Sequence, residues 1–225
     1  MEHEVLYRPS YSLLRIRLER GESVSAEAGA MVSMSSGIEM QTAAKGGLIG
    51  ALKRSVLGGE SFFVNTFMAA EPGEVTFAPT LPGDICALEL KGQTVYAQSG
   101  AYIASSPEIQ VDTKWGGAKT FFSREGLFLL QISGTGHVFL ASYGAIHEID
   151  LEAGQKYIVD TGHMVAFAEG VGYSVRRVGG LKSTLFSGEG LVCELKGPGK
   201  IMIQSRSADA FLSWLIPQLP KDNRR

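Results

Sequence analysis

The chain has 225 residues, 44% of them hydrophobic and 20% charged, a length for one large domain or two small ones and a composition that excludes the disordered class. Its 21 Lys and Arg face 23 Asp and Glu, a net charge of −2, so the basic excess of a nucleic-acid binder is missing. Glycine is the outlier at 28 residues, which in an ordered chain implies many turns and many short strands.

The N-terminal MEHEVLYRPS has two early glutamates and no apolar core segment. Neither a secretory signal nor an Arg-rich transit peptide is expected there, and the expected location is cytoplasmic. Gly21 then opens GESVSAEAGAMV, the first of three segments that align without gaps. The others are GQTVYAQSGAYI from Gly92 and GQKYIVDTGHMV from Gly154, at intervals of 71 and 62 residues. The shared pattern is G-[EQ]-x-x-x-[AV]-[EQD]-x-G-x-[MY]-[VI].

Three further series run in phase with it. Lys45-Gly46-Gly47 is followed by Trp115-Gly116-Gly117-Ala118-Lys119 and Val178-Gly179-Gly180-Leu181-Lys182. Glu60, Glu125 and Glu189 each open an apolar run, and Gly73, Gly136 and Gly199 each mark the turn that closes it. Four markers in one order, three times, predict a triplicated unit. Each unit reads as β, with runs of Val, Ile, Phe, Tyr and Thr bounded by Gly, Pro, Ser and Asn. A sandwich of about 60 residues is marginal alone, so the units are expected to share interfaces in a pseudo-threefold arrangement. The expected division is 1–80 for unit one, 81–147 for unit two, 148–206 for unit three, and 207–225 for a C-terminal helix and tail.

Unit one carries an insertion, 48–59. Leu48, Ile49, Leu52 and Val56 recur there at helical spacing, with Lys45, Lys53 and Arg54 free to face water, which predicts a short basic amphipathic helix. Leu48, Ile49, Leu52, Lys53, Arg54 and Val56 are therefore interface candidates. Their apolar face must be covered by the chain's own core, by a subunit or partner, or by a lipid surface. The core is the simplest of the three.

Cys86 and Cys193 each sit in an apolar run and read as buried thiols in a reducing compartment rather than as a metal or redox pair. From Gly126 to Ile146 no Asp, Glu, Lys or Arg occurs, a stretch long enough to span a bilayer. Its middle, Ser133-Gly134-Thr135-Gly136-His137, is a turn cluster, so two strands around a turn explain it better. At the end, Ser207 is placed to cap a helix carrying Ala208, Phe211, Leu212 and Leu215 on one stripe and stopped by Pro217. That helix is expected to dock on the sandwich.

GGES before an aromatic strand, PGDI at Pro82 to Ile85, GEGL at Gly188 to Leu191, and GPGKIMIQSRS near the end together resemble the altered-inheritance-of-mitochondria protein 24 family, from about Tyr11 to Pro217. The resemblance implies a fold like that of the tryptophan RNA-binding attenuation protein, with short β-sandwiches triplicated in one chain. It carries over no catalytic residues. The molecular activity of the family is not established, and its eukaryotic members are associated with mitochondrial inner-membrane organisation.

The sequence has no HxH or HExxH pair, no CxxC, no GxSxG and no Walker loop, so no catalytic, metal or cofactor site is expected. His137, His147 and His163 occupy unrelated repeat positions and read as isolated histidines. Gly134-Thr135-Gly136 and Gly197-Pro198-Gly199 read as hairpin turns, since the βαβ context of a dinucleotide site is missing. Glu60, Glu125 and Glu189 are repeat-axis candidates: around a threefold axis, three carboxylates repel unless a cation or Lys neutralises them. Lys53, Lys119 and Lys182 precede them, and pairing within the chain is the simpler reading.

The expected fold is all-β, with three tandem β-sandwich repeats and a short C-terminal helix. The expected function is a non-enzymatic, homo-oligomerising β scaffold or interaction module, open to a protein partner. The alternative is a small-ligand or RNA binder by analogy with the attenuation-protein fold, although the charge balance opposes RNA. An enzyme with a scattered site is the third reading.

Overall fold

A computed structural model describes residues 1–42, 55–57, 60–62, 64–112, 129–177 and 191–220. The chain is mostly β. Up to Phe77 the strands are β1 (Glu2–Leu6), β2 (Leu13–Leu18), β3 (Ser23–Glu27), β4 (Met31–Met34), β5 (Ile38–Thr42), β6 (Ser55–Leu57), β7 (Glu60–Phe62), β8 (Val64–Ala69) and β9 (Gly73–Phe77). The next stretch holds β10 (Ile85–Lys91), β11 (Val95–Gln98), β12 (Tyr102–Ser105), β13 (Gln110–Asp112), β14 (Leu129–Ser133) and β15 (Thr135–Ala141). The last holds β16 (Ile146–Leu151), β17 (Lys156–Asp160), β18 (Met164–Ala168), β19 (Gly172–Arg177), β20 (Leu191–Lys196) and β21 (Gly199–Gln204), before the helix α1 (Ala208–Leu215).

The sequence alternation explains the strands. In β2, Leu14, Ile16 and Leu18 are at most 1% exposed, while Arg15 and Arg17 point the other way and pair with Glu4 and Glu2 of β1. The period is the two residues of a half-buried strand. The charge-free stretch after Gly126 contributes two strands, β14 and β15, around a turn at Gly134, as its turn cluster predicts. Neither this turn nor the one at Gly199 closes a hairpin: β14 and β15, like β20 and β21, lie in different sheets, so the chain crosses from one sheet to the next there.

The sheets have orders β1-β2-β9-β4, β10-β15-β12-β3-β8-β5, β13-β14-β11-β18-β21-β16 and β17-β20-β19, with β6 and β7 paired separately. Thus β9 lies between β2 and β4, β15 between β10 and β12, and β21 between β16 and β18. Likewise β8 lies between β3 and β5, β14 between β11 and β13, and β20 between β17 and β19. Two long-range pairings join these groups: β12 on β3, and β11 on β18. The pairings of β4 with β9, β12 with β15 and β18 with β21 shift register at Met31/Ser33, Tyr102/Ala104 and Met164/Ala166, so Val32, Ile103 and Val165 are each the extra residue of a bulge.

The core follows the same grouping. One cluster centres on Phe67 and Phe77 and also receives Ile103, Phe139 and Ile85. A second surrounds Tyr102 and Leu130 and receives Val165, Ala166 and Met202. The third surrounds Phe167, Cys193 and Leu195. Among its described members, no residue precedes Tyr96.

Gly21, Gly92 and Gly154 have φ of +84°, +95° and +80°, the left-handed region that favours glycine. Their N–H groups donate to Ala69 O, Gly134 O and Gly197 O at 2.8, 3.0 and 3.2 Å. The acidic or amide residue that follows each one accepts a main-chain N–H through its side chain. Glu22 accepts from Glu19 and Gln155 from Glu152, both at 2.9 Å, and Gln93 accepts from Lys91. A glycine followed by Glu or Gln is therefore a turn with its own side-chain acceptor.

Candidate functional site

Ser207 is an N-cap: its Oγ accepts the Ala210 N–H at 3.4 Å. The helix it starts lies half-buried along Ala208, Phe211 and Leu215, with the Phe211 ring 6.1 Å from that of Tyr143. This helix walls a trough of about 770 Å³, whose other sides are the turns at Gly29, Gly100 and Gly162 and the segment at Pro79. The trough floor is hydrogen-bonded to itself. Asp160 Oδ1 accepts the Gly162 N–H at 2.8 Å, and Gln204 Nε2 donates to Gly162 O at 2.9 Å. Gln204 Oε1 accepts the Tyr143 N–H at 2.8 Å, and His163 Nδ1 lies 2.7 Å from Gln204 O. These groups position the turns and offer a ligand hydrogen bonds and apolar contact.

A second cluster forms at PGDI. Asp84 is 3% exposed and accepts two hydrogen bonds from Arg8, both at 2.8 Å, one from Ser12 Oγ at 3.0 Å, and one from the Ile85 N–H at 2.8 Å. Burial alone pushes the Asp84 pKa up. The hydrogen bonds from Arg8, Ile85 and Ser12, with the Arg8 charge, outweigh it and hold the carboxyl below its ordinary value. Around it, Asp84 N–H donates to Gly144 O and Ser142 N–H to Asp84 O, each at 3.0 Å. The cluster locks the N-terminal segment to the connections before β10 and β16.

The third feature is a pair of sheet edges that are open among the described residues. Strand β4 is exposed at all four residues, whereas β12 is buried at all four and β18 at its first four. Val32 is 57% exposed, but Ile103 and Val165, its counterparts in the bulges, are each 1% exposed. On β17, Ile158 is 54% exposed, while Tyr96, four residues after Gly92 as Ile158 is after Gly154, is 7% exposed and lies 5.4 Å from the Phe167 ring across the β11–β18 pairing. Strand β4 ends one sheet and β17 ends another.

The side chains of the repeat-axis candidates fall outside what the structure describes. Glu60 begins β7, with its side chain outside the described residues, as are Glu125 and Glu189. Leu48, Ile49, Leu52, Lys53 and Arg54 also lie outside them. Val56 corrects the helical expectation: it sits in β6 opposite Ser61 of β7. Apolar residues four apart fit one face of a strand as well as one turn of helix. His137 packs its ring 4.6 Å from that of His3, and His147 pairs with Ile203 in the sheet. Cys86 and Cys193 are free and buried, each thiol pushed up to about 12, chiefly by burial. The Arg8–Asp84 cluster and the open edges were not anticipated from the sequence; PGDI was visible as a motif without a role.

Among the described residues, no helix is long and apolar enough to cross a membrane. The family model described as Mitochondrial biogenesis AIM24 matches residues 3–206. An uncharacterised protein of Streptococcus pyogenes serotype M6 is 32% identical over 218 residues, 93% of this chain and 88% of that protein. A Streptococcus pyogenes protein solved by X-ray crystallography in a structural genomics programme is similar at 30% identity with a TM-score of 0.79, over 97% of this chain and 99% of that one. A match spanning nearly the whole length, joined by relatives at 30% identity and above, means that the chain belongs to the mitochondrial biogenesis AIM24 family.

Proposed function

We propose that this protein is a non-enzymatic scaffold of three equivalent β-units, in a pseudo-threefold arrangement left unclosed between β4 and β17, that acts by self-association. The observation that carries the reading is Val32. In β12 and β18 the bulge residue is buried at a contact between neighbouring units, and in β4 the same residue is left open to solvent. Support for the three units comes from the recurring sheet order and from glycine turns with side-chain acceptors at Gly21, Gly92 and Gly154. A fold like that of the attenuation protein and a cytoplasmic location belong to the same reading, the latter supported by two buried free thiols. Light scattering across a micromolar dilution series tests it. A mass above that of one chain is expected. A strict monomer throughout, with no protein recovered in pull-downs, overturns the reading.

The trough favours a second reading, a small-ligand binder. About 770 Å³ lies within the usual range for such sites. A thermal-shift screen over small metabolites tests it; stabilisation lost on replacing Phe211 and Leu212, both lining residues, supports the trough.

A further inference from the structure

Sheet edges without charge or proline are templates for further strands, and β4, Met-Val-Ser-Met, carries neither. Its bulge offers no protection, because β12 and β18 carry the same register shift and still pair with β3 and β11. On β17, the one lysine, Lys156, is held by Glu194 at 2.8 Å, with Arg176 3.4 Å from the same carboxylate. Asp160, at the end of β17, turns its carboxylate to the Gly162 N–H at 2.8 Å, so the charges of this strand sit at its two ends and leave Tyr157, Ile158 and Val159 between them.

We propose that a second copy of this chain covers each of these edges, β4 of one copy pairing antiparallel with β17 of the next. The proposal rests on the scaffold reading and names its contact. The register follows from the two pairings inside the chain. Ala104 faces Ala26 and Ser105 faces Ser25; Ala166 faces Ala97 and Phe167 faces Tyr96. Counting from the turn glycines, the corresponding partners are Ser33 with Val159 and Met34 with Ile158. Met34 is 41% exposed and Ile158 54%, so the contact buries two large apolar side chains against each other, as it does Tyr96 against Phe167. Val32 then enters the core around Phe167 and Cys193, as Ile103 enters the core around Phe67 and Phe77.

The two edges differ, so the contact is head-to-tail and yields a closed ring or an open chain of copies according to the rotation at each step. It is weaker than its counterparts within the chain. Thr76, three residues after Gly73, stands where Phe139 and Met202 follow Gly136 and Gly199, and it is hydrogen-bonded to Ser33 at 2.7 Å. A less apolar seam makes association reversible and dependent on concentration.

The test is disulfide capture in the full chain carrying Met34→Cys and Ile158→Cys. Facing positions on antiparallel strands have Cα atoms about 4.5–5.5 Å apart, within disulfide reach, and the native thiols are buried. Mixing isotopically light and heavy protein before mild oxidation distinguishes links between copies from links within one. Linked multimers containing mixed-isotope 34–158 peptides are expected, absent from either single variant. Ile158→Glu should raise the dissociation constant about tenfold or more. A 34–158 link confined to single chains overturns the proposal, as does an oligomeric wild type whose double variant forms no such link; in that last case the scaffold reading survives. A monomeric wild type removes both. If the double variant does not fold, amide exchange of the wild type decides: protection of β4 and β17 must rise with protein concentration, and protection rising only elsewhere overturns the proposal.

Discussion

Arg8 closes on Asp84 through two parallel hydrogen bonds of 2.8 Å, one to each carboxylate oxygen. The pair is buried on the aspartate side and half-exposed on the arginine side, 4% against 53%. Asp84 has a depressed pKa in the folded chain, so its contribution to stability is complete above the ordinary value of 3.8 and is lost as pH falls through the lower folded value. Thermal melting of wild type and Asp84→Asn across the acid range should show a difference near neutrality that shrinks below about pH 4. Solvent screening at Arg8 limits the neutral-pH cost to about 1–2 kcal/mol. A pH-independent difference would show that the charge is not what holds the joint.

Gly83 and Gly21 should respond very differently to alanine. A Cβ at Gly83 would lie 1.7 Å from Ser142 O, a main-chain atom held in the Asp84 joint, whereas one at Gly21 meets nothing within 4 Å. Gly21→Ala should cost about 1–2 kcal/mol in urea unfolding, from its positive φ alone. Gly83→Ala should cost clearly more, since the backbone must shift. Equal losses would contradict the close approach.

Truncating the bulge residues separates core from edge. Ile103→Ala removes a side chain 1% exposed, at an expected cost of about 2–5 kcal/mol. Val32→Ala, at a position 57% exposed, should change the unfolding free energy at low protein concentration by less than about 0.5 kcal/mol. Denaturant melts at low concentration measure both.

Both thiols should be silent in the folded protein. With their pKa values near 12, Cys86 and Cys193 hold almost no thiolate at pH 8, and burial blocks access. Labelling by an aromatic disulfide reagent should then track unfolding, and two thiols should appear together in denaturant. Rapid labelling of one of them under native conditions would locate an opening around it.

Much of the backbone was legible because its signals are local. Gly21, Gly92 and Gly154 announce left-handed turns through spacing, and Ser207 and Pro217 bracket α1. The Arg8–Asp84 joint was not legible, since 76 residues separate the partners and neither belongs to the repeat. The edges stayed hidden for another reason. Met31 and Val32 match Tyr102-Ile103 and Met164-Val165 in pattern, and burial depends on which strand lies across them, which periodicity does not encode. Val56 misled because apolar residues spaced by four fit a helix turn as well as one face of a strand.

Sheet sharing has a consequence for how the molecule comes apart. The core around Phe67 and Phe77 is completed by Ile103 and Phe139, and the core around Tyr102 by Val165 and Met202. A fragment ending near Thr80 would therefore lack part of its own interior, and a break anywhere in β12 or β18 would uncover two cores at once. Melting is accordingly expected as one cooperative event, with matching midpoints for fluorescence and circular dichroism. Shared strands thus make a single folding unit that a protease or a gene truncation cannot cut back to any one of its cores.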